Sequence, residues 1–212
     1  MELLQKLTLY DLLGYTLPGS VLVMLIQYQF YGDEILYLEG ASLFLAAAVL
    51  LIIGYLVGIV VSEIMRLIID KLFGDRKEWE KICQDYKVSK EAIGRALCKA
   101  KMVENMNAVS DYEKTFPYKT QMYSDIQTDL KYNRIHNYAS AELLYKNMIF
   151  VSAVCAGVGI AQTSPVLLFC GIIGFIFFGI RWKRFYTKKM GYMLCWFVEK
   201  YDRNERIDDR QA

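Results

Sequence analysis

Apolar residues in this chain fall in long uncharged blocks rather than at a short helical or strand period. Leu12 to Gly32, Gly40 to Ser62 and Asn147 to Ile180 carry no charged side chain, over 21, 23 and 34 residues. A hydrocarbon core about 30 Å thick takes about 20 apolar residues of helix, so the first two blocks each predict one membrane span. The third block, about 51 Å long as a single helix, exceeds one crossing. QTSP, Gln162 to Pro165, divides it into a helical hairpin. Both hairpin helices extend past the uncharged block, with Glu142, Lys146, Arg181 and Lys183 snorkelling to one interface. The pattern therefore predicts an all-α fold: a four-helix transmembrane bundle with a cytoplasmic helical domain inserted between spans two and three. The expected segments are 1–62 (interfacial helix and first transmembrane hairpin), 63–139 (cytoplasmic domain), 140–181 (second hairpin) and 182–212 (cytoplasmic helical tail).

Between the blocks the polar and apolar positions keep helical spacing. Leu3, Leu4, Leu7 and Tyr10 share one side of residues 2–13, as in a short interfacial helix. In SEIMRLIIDKLFGD, Ile64, Met65, Ile68, Ile69, Leu72 and Phe73 oppose Glu63, Arg66 and Asp70, and Gly74 is a natural stop. Ser89 predicts a cap for a helix through about Val103, and SDYE (Ser110 to Glu113) has the capping-box pattern. Pro117 interrupts, and a further helix is expected from about Thr120 into span three. No strand alternation, internal repeat or low-complexity linker is present. Beyond Ile180 the fourth helix is expected to continue, with Gly191 as a place where it could bend.

Charge placement decides how many times the chain crosses. Of 25 Lys and Arg, Lys6 precedes the first span, 15 lie from Arg66 to Lys146, and nine follow Ile180. None lies in 31–40 or in the QTSP turn, so the positive-inside rule puts both termini and the middle segment in the cytoplasm. Three crossings would export the RWKRFYTKK tail. The net charge of +2 conceals this asymmetry, and the RWKR start of the tail suits anionic headgroups of the membrane lipid. The amino terminus has one lysine, an acidic Glu2 and no small-residue cleavage site, so no cleavable signal peptide is expected.

Candidate chemistry is sparse. The chain has one histidine, His136, and five scattered cysteines without a C-x-x-C pair, so no metal site, disulfide framework or cofactor is expected. The uncharged blocks hold no Asp, Glu, His, Lys or Arg to serve as an intramembrane acid, base or metal ligand, which argues against an enzyme. GYLVG pairs Gly54 with Gly58 for close helix packing, either within one chain or between copies in a homo-oligomer. Thr16, Ser20 and Gln27 fall within about 40° on one helix face; they either line a pore in an oligomer or hydrogen-bond to a neighbouring helix. Residues 118–138 interleave tyrosines with cations, so Lys131, Tyr132, Arg134, His136 and Tyr138 are candidates for binding a nucleotide or a single-stranded oligonucleotide. The competing reading has Tyr123, Tyr132 and Tyr138 half-buried in a helical domain with the charges solvated.

DLLGYTLPG, Asp11 to Gly19, places a proline inside the expected first span. Pro18 cannot donate to the carbonyl of Gly14, so that carbonyl needs another donor: Thr16, Ser20 or a neighbouring helix. Gly14 and Pro18 thus predict a kink at which gating could act. The pattern of Asp11, Gly14, Tyr15, Pro18 and Gly19 at the start of a first membrane helix resembles that of small bacterial multi-span proteins of antiphage defence systems. The four-span layout with a helical insert is similar to membrane components of Hailong- and Kiwa-type systems. The resemblance implies a homo-oligomeric inner-membrane effector, a channel gated by a ligand or by a cytosolic defence protein. The other expectation is a membrane anchor or sensor that recruits a cytosolic partner without a pore.

Overall fold

The computed structural model describes residues 9–31, 43–73, 76–104, 111–129, 132 and 134–208. Among them all regular structure is helical, as expected: α1 (Leu9–Tyr31), α2 (Leu43–Phe73), α3 (Arg76–Asp85), α4 (Lys90–Lys99), α5 (Tyr112–Thr115), α6 (Lys119–Gln127), α7 (Arg134–Ala161) and α8 (Pro165–Asp208). Among the described residues three helices are long and apolar enough to cross a membrane, within Leu45–Ile69, Arg134–Ala161 and Pro165–Tyr201. The remaining long helix, α1, carries Pro18, Gln27 and Gln29, which dilute its apolar character. Leu3, Leu4 and Leu7 of the expected interfacial helix, and the expected stop at Gly74, lie outside the described residues.

The chain divides into two compact units. Met1–Lys71 with Ala139–Phe185 make one, and Leu72–Tyr138 with Tyr186–Ala212 the other. In the first, the buried apolar cluster is small, Leu22, Val61, Met65 and Val151, while many large apolar side chains of α2 and α8 face outward. The turn between α7 and α8 is a helix end of the expected kind. Ser164 N–H donates to Gly159 C=O at 2.8 Å, Thr163 takes a left-handed φ of 53°, and Pro165 starts α8, where its missing N–H costs nothing.

The second unit has a conventional side-chain core. Trp79, Ile82, Ile93, Leu97, Met122, Ile126, Ile135, Met193, Leu194 and Phe197 are all essentially inaccessible. Ser89 caps α4 by accepting from Ala92 N–H, but the helix ends at Lys99, short of Val103. Its last turn closes when Met102 N–H reaches back to Leu97 C=O at 3.0 Å, with Lys101 at φ 56°. Asp111 rather than Ser110 stands at the N-cap of α5, and Ser110 lies outside the described residues. Pro117 falls in a 3-10 turn over Phe116–Tyr118 that joins α5 to α6. Gly191 serves as a seat rather than a bend: α8 runs through it, and the Tyr86 ring occupies the place a Cβ would take.

Candidate functional site around the α1 proline

Helix α1 carries Pro18 in its interior without a break. The residue left short of a hydrogen bond is Gly14, and its carbonyl accepts from Asn147 Nδ2 of α7 at 3.1 Å. Asn147 is fully buried. Four residues before it on the same face of α7, Leu143 lies 3.0 Å from where a Gly14 Cβ would stand, so the glycine lets α7 approach closely enough for the amide to reach. A buried carbonyl without a donor costs about 1–3 kcal/mol, which sets the scale of what Asn147 offsets. Its Oδ1 and the Oγ1 of Thr16, a residue only 6 % exposed, are buried with no hydrogen-bond partner.

The opposite flank of α1 meets α2 through backbone. A Cβ on Gly19 would collide with the Gly54 carbonyl and stand 2.7 Å from Gly58 N. One on Gly58 would strike the Tyr15 carbonyl, and one on Gly54 would strike Ser20. GYLVG therefore faces α1 of the same chain. Ser20 Oγ donates to Leu50 C=O at 3.4 Å, and Tyr15 packs edge-on against Tyr55 with centroids 5.9 Å apart. Of the polar line on α1, Thr16 is buried, Ser20 bonds to α2, and Gln27 is exposed.

No described side chain lining this crossing is an acid, a base or a histidine. The region supplies amide and hydroxyl groups around one freed carbonyl, a set suited to fixing how three helices cross. Comparison of the chain with protein-family models, curated proteins and solved structures finds no match.

The tyrosine-rich segment is placed differently from the polar line of α1. Tyr132, 4 % exposed, belongs to the core of the second unit with its ring 5.5 Å from Trp196. Tyr138 stacks on Tyr192 at 5.2 Å, Tyr192 on Trp196 at 5.4 Å, and Tyr86 meets Tyr192 edge-on. Arg134 is exposed and His136 half-buried, and Lys131 lies outside the described residues. Spacing brings Arg134 and Tyr138 to one side of α7 and turns His136 away. A shallow depression on this unit is lined by Ala92, Arg95, Ala96, Lys99, Val198 and Tyr201. Among the described residues no three His, Cys, Asp or Glu side chains are grouped as metal ligands.

Asn147 escaped the sequence reading because its partner is 133 residues away. Its signal is a lone amide side chain at the edge of an uncharged block, in a chain with one intrahelical proline carbonyl to satisfy. Thr115 is a second case: its Oγ1 accepts from Trp79 Nε1 at 2.8 Å and donates to Tyr112 C=O at 2.7 Å, allowing the indole to be buried.

Proposed function

We propose that the protein is a non-catalytic anchor of the bacterial inner membrane. In this reading α1, α2, α7 and α8 cross the bilayer as a four-helix bundle, both termini are cytoplasmic, and the unit with the aromatic core docks a cytosolic protein. Helix α1, with 23 residues and a length of about 34 Å, is long enough for the fourth crossing. A fourth crossing also keeps the nine cations after Ile180 on the same side as the 15 before Asn147.

The observation that carries the anchor reading is the direction of α1's small and polar residues. Gly14, Gly19 and Ser20 are engaged by α7 and α2 of the same chain, and Thr16 is buried within its own unit, so they support a closed bundle over a pore wall. The test is reconstitution of the full chain into vesicles, together with co-purification against the soluble products of neighbouring genes. The anchor reading predicts no ion flux and a fixed-ratio complex with one such protein. Ion flux that disappears in Ser20→Ala or Gln27→Ala contradicts it.

A second reading, a homo-oligomeric channel acting in antiphage defence, is favoured by Gln27. This amide is exposed on α1 in line with Thr16 and Ser20, where a second copy would cover it better than lipid. Disulfide crosslinking of Gln27→Cys between copies, with conductance, would support that reading.

A further inference from the structure

The outward face of α8 changes character abruptly. Val166, Ile173 and Phe177 are exposed on one face, and Arg181 and Arg184 continue that same line, all five within about 80° around the helix axis. Ile180, 66 % exposed, flanks the line at the point of change. An exposed apolar stripe ending in cations marks where hydrocarbon gives way to headgroups. The headgroup layer is about 5–8 Å deep on each side of the hydrocarbon, and Arg181 and Arg184 differ in height by about 4.5 Å, so both fit within it. Arg181 is held back against its own helix, its Cζ 5.5 Å from the Phe177 ring centroid, while Arg184 is exposed. Tyr145 of α7 stacks on Phe185 at 5.3 Å and lies 6.2 Å from Phe178, an aromatic group at the same level, as interfaces favour.

Among the described side chains of the first unit, the acidic ones are Glu63, paired with Arg66 at 2.7 Å, and Glu142, one helical turn before Lys146. We infer that Arg181 and Arg184 form a binding site for the phosphate of an anionic phospholipid headgroup in the cytoplasmic leaflet; the inference rests on the membrane reading above. Guanidinium suits this ligand because it offers paired donors to phosphate oxygens while its stem lies along apolar surface. A zwitterionic lipid presents the same phosphate with a compensating cation, so the site should discriminate on net charge.

The test measures association of spin-labelled phosphatidylglycerol and spin-labelled phosphatidylcholine with the full chain in vesicles. Flotation first reports whether the chain is in the bilayer. A juxtamembrane cation near an anionic surface is worth about 1 kcal/mol, or about fivefold per arginine. With two arginines the wild type should therefore prefer phosphatidylglycerol by up to about 25-fold. The pair R181Q and R184Q should bring the ratio close to one, while R181K and R184K, which keep the charge, should retain most of it. Raising the salt to about 1 M, where the screening length is about 3 Å, should remove most of the preference. Adding inorganic phosphate at matched ionic strength should not displace the lipid; displacement would assign the site to free phosphate and overturn the lipid assignment. Equal association of both lipids, or a preference unchanged in the glutamine pair, overturns the inference while leaving the membrane reading intact. Failure to float with any vesicle overturns both.

Discussion

Among the described residues of the unit built from α1, α2 and the hairpin of α7 with α8, four side chains make the buried apolar cluster, and α1 meets α2, and α7 meets α8, through backbone. The other unit buries Trp79, Phe197, Met122 and a dozen more, and its helices meet through side chains. The difference follows from the solvent each is suited to. In water, removing apolar area is worth about 25 cal/mol per Å², so large side chains hold helices together. In lipid that drive is absent, because the tails are as apolar as leucine, and close backbone approach plus a few hydrogen bonds must suffice. Gly19, Gly54, Gly58, Gly159 and Gly171 each sit against backbone of a neighbouring helix, which a side-chain core would prevent.

Substitutions in either unit can break this contrast, and those in the side-chain core should give the larger effect. Trp79→Ala removes the largest fully buried side chain among the described residues, together with its hydrogen bond to Thr115 Oγ1, so it should cost about 3–5 kcal/mol in chemical denaturation. Gly54→Ala forces a methyl into Ser20 and should cost about 1–3 kcal/mol or more in the membrane unit. Gly157→Ala is its control: nothing lies within 4 Å of the added Cβ, so that variant should be unchanged or stabilised by up to about 1 kcal/mol. If both alanines behave alike, packing through glycine is not what holds this unit.

A smaller effect separates the units by pH. Burial pushes the Cys83 thiol up from its ordinary 9.0 to about 12, so the folded state disfavours the thiolate. With the folded value raised, the stability tied to the thiol is fully present below pH 9 and is lost as pH rises from about 9 to 12. The loss is at most about 1.4 kcal/mol per pH unit. Cys83→Ala removes this titration. The denaturation midpoint of the wild type should therefore fall more steeply between about pH 8 and about pH 10 than that of the variant, and parallel curves would refute the assignment.

Much of the architecture could be read from residues because its signals are local. Ser89 announces its helix, and Pro165 and the polar QTS announce the hairpin turn. The site was legible only in part, because half of it is a pairing. Pro18 and Gly14 declare that a carbonyl lacks a donor, and nothing local says that Asn147 supplies it. GYLVG declares a close approach, yet not that Tyr15, Gly19 and Ser20 are what it approaches. For Tyr138 the sequence leaves a ring open to a base beside one half-buried in a helical domain, and its stack on Tyr192 depends on a residue 54 positions later.

One hydrogen bond, from Asn147 to the carbonyl that Pro18 cannot serve, is central to how α1 and α7 are held together. A double-mutant cycle of Asn147→Ala with Pro18→Ala, read as unfolding free energy of the full chain in mixed micelles, tests it directly. With Pro18 in place, Asn147→Ala should cost about 1–3 kcal/mol, because the Gly14 carbonyl is left buried without a donor. In the Pro18→Ala background the restored N–H serves that carbonyl, and the same substitution should cost at least about 1 kcal/mol less. An equal cost in both backgrounds would contradict the account.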